Sequence, residues 1–286
     1  MDFSIIIVSW NVKEALRVNL QSILQSNQQA TVEIIVIDNA SKDGTVEMIQ
    51  SEFPSVQIIA NQTNVGFAKA SNQGLKKAVG DYLILLNPDM KIFPETLGNI
   101  KQWLDKNPEA DVTGIQLVDE QEKIVQHVRH FPTFFDQAVI ILKLPHLFPR
   151  LLDSYLLRDF NYSGASQVDS IRGAFFVIRK SSLEKYGLLD ERYFLWFEEV
   201  DYCRAVKQHG GQVWYTPEAV AIDYVGQSFS QLPRSTKQSY FRNSMLAYFK
   251  KWESPWQAQL LSIAWFFSDM IVWLGDIVHL KSRTKT

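Results

Sequence analysis

The first part of the chain alternates between short apolar runs and amphipathic segments, and this alternation restricts it to few folds. The apolar runs cover residues 3–9, 33–38, 56–60 and 82–86. Ile, Val and Leu dominate them, which is typical of strands buried on both faces. The intervening segments have the length and periodicity of helices. The pattern predicts an α/β fold: a Rossmann-like, doubly wound, mostly parallel sheet with helices on both faces.

Local signals predict the ends of several further elements. Asn11 and Glu14 have the spacing of a capping box and predict the start of the first helix. Apolar patterns predict strands over 111–119, 123–129 and 170–179. A later helix is predicted over residues 198–209, ended by Gly210 and Gly211.

Composition excludes several classes of protein. The chain has 286 residues, 46% of them hydrophobic, and a formal net charge of −2. It therefore resembles a globular protein, and no basic field would recruit nucleic acid. The single cysteine, Cys203, excludes an internal disulfide and a cysteine-based zinc site, and fits a reducing compartment. The N-terminus has no signal-peptide pattern, so we expect a cytoplasmic protein.

Polar residues follow three of the predicted strands at the point where each strand ends. These are the segments 9–11, 38–39 and 87–89. Because parallel strands of a doubly wound sheet end on the same edge, the three segments should lie together there. Ligands of such sheets bind at this edge, so the sequence predicts a binding site.

Two aspartates of this edge each allow two interpretations. Asp89 follows Pro88, whose fixed φ holds the turn, and a carboxylate placed there suits a divalent cation that bridges phosphates; the alternative is a turn or helix-capping residue. Asp38 suits a hydrogen-bond acceptor for a nucleobase N–H, or the acceptor of an Asx turn with residue 40 or 41. Neither residue decides the matter alone.

The loop over residues 64–74 is rich in Gly and Asn and enters a helix, a place that receives negative charge. It has no Gly-Lys-Ser/Thr of a Walker A loop, and no G-x-G-x-x-G follows the first strand. An ordinary loop is the alternative.

A second cluster holds Glu198, Glu199 and Asp201 at a helix start, where a carboxylate with a raised pKa would suit a general base. A solvated first turn is the alternative there, although Trp196 flanks the cluster.

Together these segments resemble a known family. The blocks that carry the resemblance are SIIIVSWN, VIDNASKDGT, NVGFAKASNQG, LLNPD, GAFFVIR and FEEVDYCRAV, with YFRNSMLAYFKK near the C-terminus. Their order is similar to that of family 2 glycosyltransferases, in particular the rhamnosyltransferase-like branch of bacterial surface polysaccharide synthesis. The resemblance implies a GT-A domain over residues 1–250, which includes an apolar helical insertion at 131–160, and a C-terminal helical extension at 251–286.

The resemblance also implies roles for individual residues. Nucleotide-binding residues would be Ser9, Trp10, Asn11, Asp38, Asn64, Gly66 and Asn87. Metal ligands for Mg²⁺ or Mn²⁺ would be Asp89 and Asp223, the latter standing where the family often has His. Catalytic residues would be Glu199 as general base, with Glu198 beside it. Residues bordering the sugar or acceptor would be Gly173, Ala174, Trp196 and Asp201.

The implied reaction is an inverting transfer from a nucleoside-diphosphate sugar to a hydroxyl of a glycan or a lipid-linked acceptor. The family usually has Asp where this chain has Glu199, and Asp223 replaces the family His. These departures keep open a catalytically silent relative that binds nucleotide sugar or acts as a scaffold. Nucleotidyl transfer is a third reading, but the segment Trp10–Lys13 lacks the Gly-rich, basic loop it would need.

The two most apolar segments raise the question of a membrane. The insertion at 131–160 is read as a lid over the core, or as a membrane or acceptor contact. Residues 256–280 are apolar but interrupted by Asp269 and Asp276, which predicts an amphipathic helix lying at the inner face of the cell membrane. Lys281, Arg283 and Lys285 would then meet anionic headgroups. The alternative for this helix is a core or homo-oligomer contact.

Overall fold

The computed structural model describes residues 1–26, 30–224 and 231–268. The strands are β1 (Phe3–Ser9), β2 (Val32–Asp38), β3 (Gln57–Ala60), β4 (Tyr82–Leu86), β5 (Met90–Ile92), β6 (Ala110–Val118), β7 (Val128–Arg129), β8 (Ser166–Gln167), β9 (Ser170–Ile171), β10 (Phe175–Arg179) and β11 (Gln212–Asp223). The helices are α1 (Lys13–Gln25), α2 (Thr45–Glu52), α3 (Phe67–Leu75), α4 (Thr96–Lys106), α5 (Phe134–Ile141), α6 (Lys180–Tyr186), α7 (Glu198–Gln208), α8 (Arg234–Trp252) and α9, over residues 255–268.

Nine of these strands form one twisted sheet in the order β3-β2-β1-β4-β10-β6-β11-β5, with β8 added to β11. β3, β2, β1 and β4 are mutually parallel, and β6 and β11 form a second parallel pair. β10 joins the two groups and is antiparallel to both of its neighbours. β7 and β9 form a separate two-stranded sheet. The predicted α/β sheet is confirmed, with an antiparallel strand at its centre.

The alternation of side chains along β1 shows why both faces of the sheet are covered. Ile5 and Ile7 pack into the core cluster that holds the apolar stripes of α1, α2 and α4. Ile6 points the other way, into the cluster that holds α3 and α7. Burial of each such side chain stabilises the fold by roughly 1.5–3 kcal/mol.

A third core cluster joins the insertion to the C-terminal helices. Ile141 of α5 packs with Tyr248 and Phe249 of α8 and with Leu261 of α9. Within the insertion, α5 is followed by short 3-10 turns at Leu144–His146 and Pro149–Leu152. Short helices are therefore present within residues 131–160, and helices are present at the C-terminal end of the described chain. Asp269, Asp276 and the basic residues after them lie outside the described residues.

Several predicted boundaries are wrong. There is no capping box at Asn11, because its side-chain Oδ1 accepts a hydrogen bond from the Lys42 amide instead, at 2.7 Å, and α1 has no side-chain cap. The predicted strand over 123–129 is reduced to β7, although residue 124 still makes an isolated bridge. The predicted strand over 170–179 is broken at residues 172–174, so β9 and β10 belong to different sheets.

Candidate active site

The polar ends of β1, β2 and β4 meet at one edge of the sheet, as the topology requires. A cavity of about 290 Å³ opens there. Its walls are Val8, Trp10, Asn39, Asn64, Gly66, Phe67, Asn87, Pro88, Asp89, Phe194, Leu195, Leu232 and Tyr240. The structure thus brings together Trp10, Asn64, Gly66, Asn87 and Asp89 from the predicted set.

The loops after β1 and β2 are held against each other by their backbones. The Asn39 amide donates to the Ser9 carbonyl at 2.8 Å, and the Asn11 amide donates to Ser41 Oγ at 2.9 Å. Asn11 and Ala40 have φ of 52° and 64°, left-handed values that are uncommon outside glycine. Such backbone strain clusters at functional loops. Asn11 itself lines a groove beside the cavity, together with Asp43.

Asp38 combines the two interpretations that its sequence context allowed. Its Oδ2 accepts from the Ser41 amide at 2.9 Å, which is an Asx turn. Its Oδ1 is buried and has no hydrogen-bond partner, and the same holds for the nearby Ser9 Oγ. Burying an unpaired acceptor costs free energy, so such atoms in a folded protein call for a partner. Asp38 can hold its turn with one oxygen and offer the other to a ligand N–H.

A contact between distant loops forms the opposite wall of the cavity. The Phe67 amide donates to the Phe194 carbonyl at 2.7 Å, and the Phe194 ring stacks on Tyr240 of α8 with centroids 4.4 Å apart. A Cβ on Gly66 would lie 2.7 Å from that carbonyl oxygen, so only glycine fits. Asn64 caps this turn by accepting from the Gly66 amide at 3.0 Å.

The turn over residues 87–89 is held from two sides. The Asn87 amide donates to the Ala174 carbonyl at 2.9 Å. On the other side, the fully buried Asn19 of α1 donates through Nδ2 to the carbonyls of Asn87 and Met90, at 3.2 and 2.9 Å. These bonds fix the turn, and the Asp89 carboxylate stands in the wall of the cavity with its residue only 3% exposed.

Asp223 lies next to this turn, because β11 pairs with β5 and sets Asp223 opposite Met90. Its buried carboxylate forms an ion pair with Arg172, Nη1 to Oδ2 at 2.7 Å. A cation would compete with the guanidinium for that carboxylate, which argues against Asp223 as a metal ligand. Among residues 1–26, 30–224 and 231–268, no three His, Cys, Asp or Glu side chains come close enough to hold a metal ion by themselves. Asp89 with phosphate oxygens and water is a donor set that suits Mg²⁺ or Mn²⁺.

Glu198 and Glu199 open α7 at the end of a strained loop. Trp196 and Phe197 have φ of 66° and 73°, and Phe197 occupies the N-cap. Burial raises the pKa of Glu199, and the positive charges of Arg172 and Arg129 offset part of that rise. Burial and the charge of Glu199 raise the pKa of Glu198 further above its ordinary range. The Oε2 atom of each glutamate is buried and has no hydrogen-bond partner. A partly exposed carboxylate with a raised pKa is what a general base needs.

Gly173, Ala174 and Trp196, which were predicted to border the sugar or acceptor, lie in three different environments. Gly173 lies against the base, since a Cβ there would be 3.5 Å from Glu199 Cβ. The Ala174 side chain is buried in the core, so only its carbonyl supports the site. Trp196 packs on Phe241, with ring centroids 6.2 Å apart.

Asp201 has a structural role that the sequence did not reveal. Its carboxylate accepts hydrogen bonds from Tyr193 Oη, Lys251 Nζ and Trp252 Nε1, at 2.9, 2.7 and 2.6 Å. The residue is 3% exposed. Asp201 therefore anchors α8 to α7, and its role beside the acceptor stays a prediction.

Residues missed by sequence reasoning act through long-range contacts. Arg172, Asn19, Phe194 and Tyr240 each meet partners more than 40 positions away in the chain. No local pattern identifies them. The one available signal was a polar Asn19 among the apolar positions of an amphipathic helix.

The fold and this site define a class of protein: a GT-A sugar transferase. The crystal structure of GalNAc-T7 with UDP, GalNAc and Mn²⁺ is similar, with a TM-score of 0.60 and 18% identity, over 86% of this chain and 48% of that one. The crystal structure of S. aureus TarS 1-349 in complex with UDP-GlcNAc has a TM-score of 0.56 and 15% identity, over 94% and 72%. At these identities the likeness shows the fold.

Residues 4–187 match the family described as "Glycosyl transferase family 2". The chain belongs to this family, and the resemblance seen in its sequence is confirmed. One relative is the "N-acetylglucosaminyl-diphospho-decaprenol L-rhamnosyltransferase" of Mycobacterium tuberculosis (strain CDC 1551 / Oshkosh), 23% identical over 85% of this chain and 83% of the relative. Another is the "Low-salt glycan biosynthesis hexosyltransferase Agl10" of Haloferax volcanii, 23% identical over 86% and 75%.

Proposed function

We propose that this chain transfers a sugar from a nucleoside-diphosphate donor, with inversion, to a hydroxyl of a glycan or lipid-linked acceptor in surface polysaccharide synthesis. One observation carries the proposal. The cavity at the strand ends joins Trp10, Asn64, Asn87 and Asp89 in its walls, and the unpaired Oδ1 of Asp38 lies at the same edge.

The donor is bound by the edge formed by β1, β2 and β4. Asp38 accepts an N–H of the base, as its unpaired oxygen requires, and Trp10 offers an aromatic face beside it. Asn87 faces the ribose. Asp89 holds the divalent cation, Mg²⁺ or Mn²⁺, which when bound stabilises the negative charge on the departing diphosphate.

Glu199 removes the proton from the acceptor hydroxyl. Burial raises its pKa, which makes it a stronger base than an ordinary glutamate. The oxygen attacks the anomeric carbon from the face opposite the phosphate, which inverts that carbon and needs no covalent intermediate. Burial and the charge of Glu199 raise the pKa of the neighbouring Glu198 further, which favours its neutral form and limits charge repulsion beside the base.

The first test of this proposal is whether the protein binds a nucleoside diphosphate. Isothermal titration with a panel of nucleoside diphosphates in Mn²⁺ should identify one that binds, and Asp38→Asn should weaken its binding about tenfold, because a donor replaces one acceptor. The control is Asp105→Asn. Asp105 lies on α4, where its carboxylate accepts a hydrogen bond from Tyr82 Oη, and this variant should bind nucleotide as the wild type does. If no nucleoside diphosphate binds, the assignment of this cavity as the donor site is wrong. Binding without sugar transfer would favour the silent relative.

The protein works at the inner face of the membrane, held by one apolar face. We assign to this face the exposed apolar side chains of α5, α9 and the turns after α5, which are Phe135, Leu142, Leu147, Phe148, Trp256, Leu260, Ile263, Phe266 and Phe267. α5 and α9 meet here, with Phe134 and Trp256 rings 5.7 Å apart and Ser268 Oγ bonded to the Ile141 carbonyl at 3.0 Å. Exposed patches of this kind mark interaction sites.

Basic residues argue that the partner is an anionic bilayer. Lys143 and Arg150 lie in the same insertion, and the sequence after α9 ends in further Lys and Arg. No described helix has both the length and the hydropathy that a membrane crossing demands. The chain is therefore proposed to lie on the surface with its apolar face inserted.

Vesicle sedimentation tests the apolar face. The double variant Leu147→Ser/Phe148→Ser should lose most binding to phosphatidylglycerol vesicles, because it removes two exposed apolar side chains. Ile124→Ser, at another exposed apolar residue outside the insertion and α9, should bind as the wild type does. Equal binding by all three proteins would contradict the proposed face, and a dimer broken by the double variant would identify a second copy as the partner.

A further inference from the structure

A second polar cluster lies on the acceptor side of Glu199, and the proposed reaction does not use it. Its members are Arg129 at the end of β7, Gln137 of α5, and Tyr155. Pairing of β7 with β9 sets Arg129 opposite Ser170, two residues from Arg172. The insertion thus faces the general base with polar side chains, while Phe135 of the same helix is exposed on the apolar face.

Tyr155 connects the members of the cluster. The Arg129 guanidinium lies 5.9 Å from the centroid of the Tyr155 ring. The Tyr155 hydroxyl is within electrostatic range of both Arg129 and Glu199 and lies against the Gln137 amide. No hydrogen bond of regular geometry joins that hydroxyl to the amide, because both polar atoms of the Gln137 side chain are without a partner.

The unpaired amide of Gln137 points to a missing ligand. The residue is completely buried, yet neither Nε2 nor Oε1 has a hydrogen-bond partner. Glu199 Oε2 is unpaired in the same way. A buried amide normally satisfies both groups, and one that does not is expected where a ligand or an ordered water completes it. Arg129, Tyr155 and Glu199 are partly exposed, so the cluster is reached from their side.

The charge of the cluster indicates which ligand fits. Within the part of the chain that the structure describes, Arg129 forms no salt bridge, whereas Arg172 is paired with Asp223. A half-buried guanidinium without a carboxylate partner is the side chain that recognises phosphate groups most readily. The Gln137 amide, which lies against the Tyr155 hydroxyl, offers a second donor.

On the basis of the proposed function, we infer that Arg129 and Gln137 form an anion subsite for the acceptor, which binds a phosphate or diphosphate group next to the sugar that receives the new residue. The Arg129 guanidinium and Gln137 Nε2 donate to phosphate oxygens, and Gln137 Oε1 accepts from a sugar hydroxyl. The acceptor is then a glycosyl phosphate or diphosphate. The position of Phe135 on the same helix places its lipid, where it has one, on the apolar face.

The test measures binding of an anionic probe away from the donor site. Inorganic diphosphate is titrated calorimetrically into the full chain in EDTA, so that cation-dependent binding at Asp89 is removed. Arg129→Gln should weaken this binding at least tenfold, whereas Arg129→Lys should retain most of it. Arg158→Gln, which removes an arginine elsewhere in the insertion, is the matched control and should bind inorganic diphosphate as the wild type does. Equal affinity of Arg129→Gln and wild type, or no binding by the wild type, would overturn the subsite.

Two further measurements test whether the acceptor is lipid-linked and whether Gln137 contacts the phosphate. Farnesyl diphosphate in place of inorganic diphosphate should bind more tightly if the acceptor is lipid-linked, and equally if it is a soluble phosphate. Gln137→Leu should weaken diphosphate binding while leaving the melting temperature unchanged or higher, since it removes an unpaired buried amide. A lower melting temperature with unchanged binding would show that an ordered water completes Gln137, and would overturn its role.

Failure of this subsite is distinguishable from failure of the donor site. Binding of a nucleoside diphosphate in Mn²⁺ should be the same in Arg129→Gln and wild type. If that binding persists while inorganic diphosphate in EDTA does not bind, the sugar transferase stands and the anionic acceptor is wrong.

Discussion

Gly66 and Phe194 touch through their backbones, and this contact closes the donor cavity. Gly66 has φ of 86° and ψ of 169°, and a Cβ added to it would lie 2.7 Å from the Phe194 carbonyl oxygen. The loop after β3 is thereby fixed to the loop that precedes Glu199. In the proposed reaction, donor binding and the position of the base would both depend on this contact.

Substitution of Gly66 by Ala should therefore be costly. We expect a loss of about 2–4 kcal/mol in the free energy of unfolding, from backbone strain and from the clash, and a loss of nucleotide binding. Urea denaturation and calorimetric titration measure the two effects. Gly187→Ala is a matched control, because Gly187 has the same φ of 86° with ψ of −169° and nothing within 4 Å of its added Cβ. Equal losses in both variants would mean that the contact with Phe194 contributes nothing.

Glu199→Gln should remove catalysis and spare binding. Loss of a general base lowers kcat by roughly 10²–10⁴-fold, while the dissociation constant of the donor nucleotide should not change. The wild-type rate should fall as the pH drops through the raised pKa of Glu199, at a higher pH than for an ordinary glutamate, and the variant should lack this limb. Transfer that survives the substitution with an unchanged pH profile would remove the assignment.

Glu198→Gln should increase stability, and only at higher pH. Burial and the charge of Glu199 raise the pKa of Glu198 in the folded state, so its protonated form is favoured by folding. That contribution is complete below the ordinary pKa of 4.5 and is lost as the pH rises through the folded value. The neutral amide does not titrate, so the variant should be more stable by about 1–3 kcal/mol at pH 8 and no different at pH 4.

Denaturation at the two pH values measures the effect of Glu198→Gln. The exposed Glu184 supplies the control variant Glu184→Gln, which should match the wild type at both. A gain that is the same at pH 4 and pH 8 would show that charge is not its cause.

Asp201→Asn should loosen α8. The substitution removes the charge that Lys251 pairs with and one acceptor of a buried network, which typically costs about 3–5 kcal/mol. Asp190→Asn, at a more exposed carboxylate that also contacts Lys251, should cost about 1 kcal/mol or less. Thermal denaturation compares them. An Asp201→Asn protein of normal stability that has lost only its acceptor affinity would support the acceptor role predicted from sequence.

Local patterns were sufficient for β1 to β4, because β-branched runs and the turns between them are sequence-local. They failed for β11, whose apolar run is interrupted by Pro217 and Glu218. The structure accommodates the proline at a register shift between Thr216 and Val220, where a ladder hydrogen bond is not needed. β5 is three residues long, which is too short for any periodicity to register.

The position of the site followed from topology, since parallel strands bring their ends to one edge. Its supporting contacts did not, because they join residues far apart in sequence. Arg172 is 51 positions from Asp223, and Asn19 is 68 from Asn87. The left-handed backbone of Trp196 and Phe197 was equally unforeseen, since neither residue favours it and only the surrounding packing imposes it.

The antiparallel strand β10 separates the sheet into two parallel blocks. The two blocks are encoded by different stretches of the gene. The cavity wall is drawn mostly from the chain before residue 90, whereas Glu199 and the arginines beside it come from the chain after residue 127. On the proposed function, substitutions in the first stretch should alter the choice of donor, and substitutions in the second should alter the choice of acceptor. Recombination near the centre of the gene would exchange one preference and preserve the other.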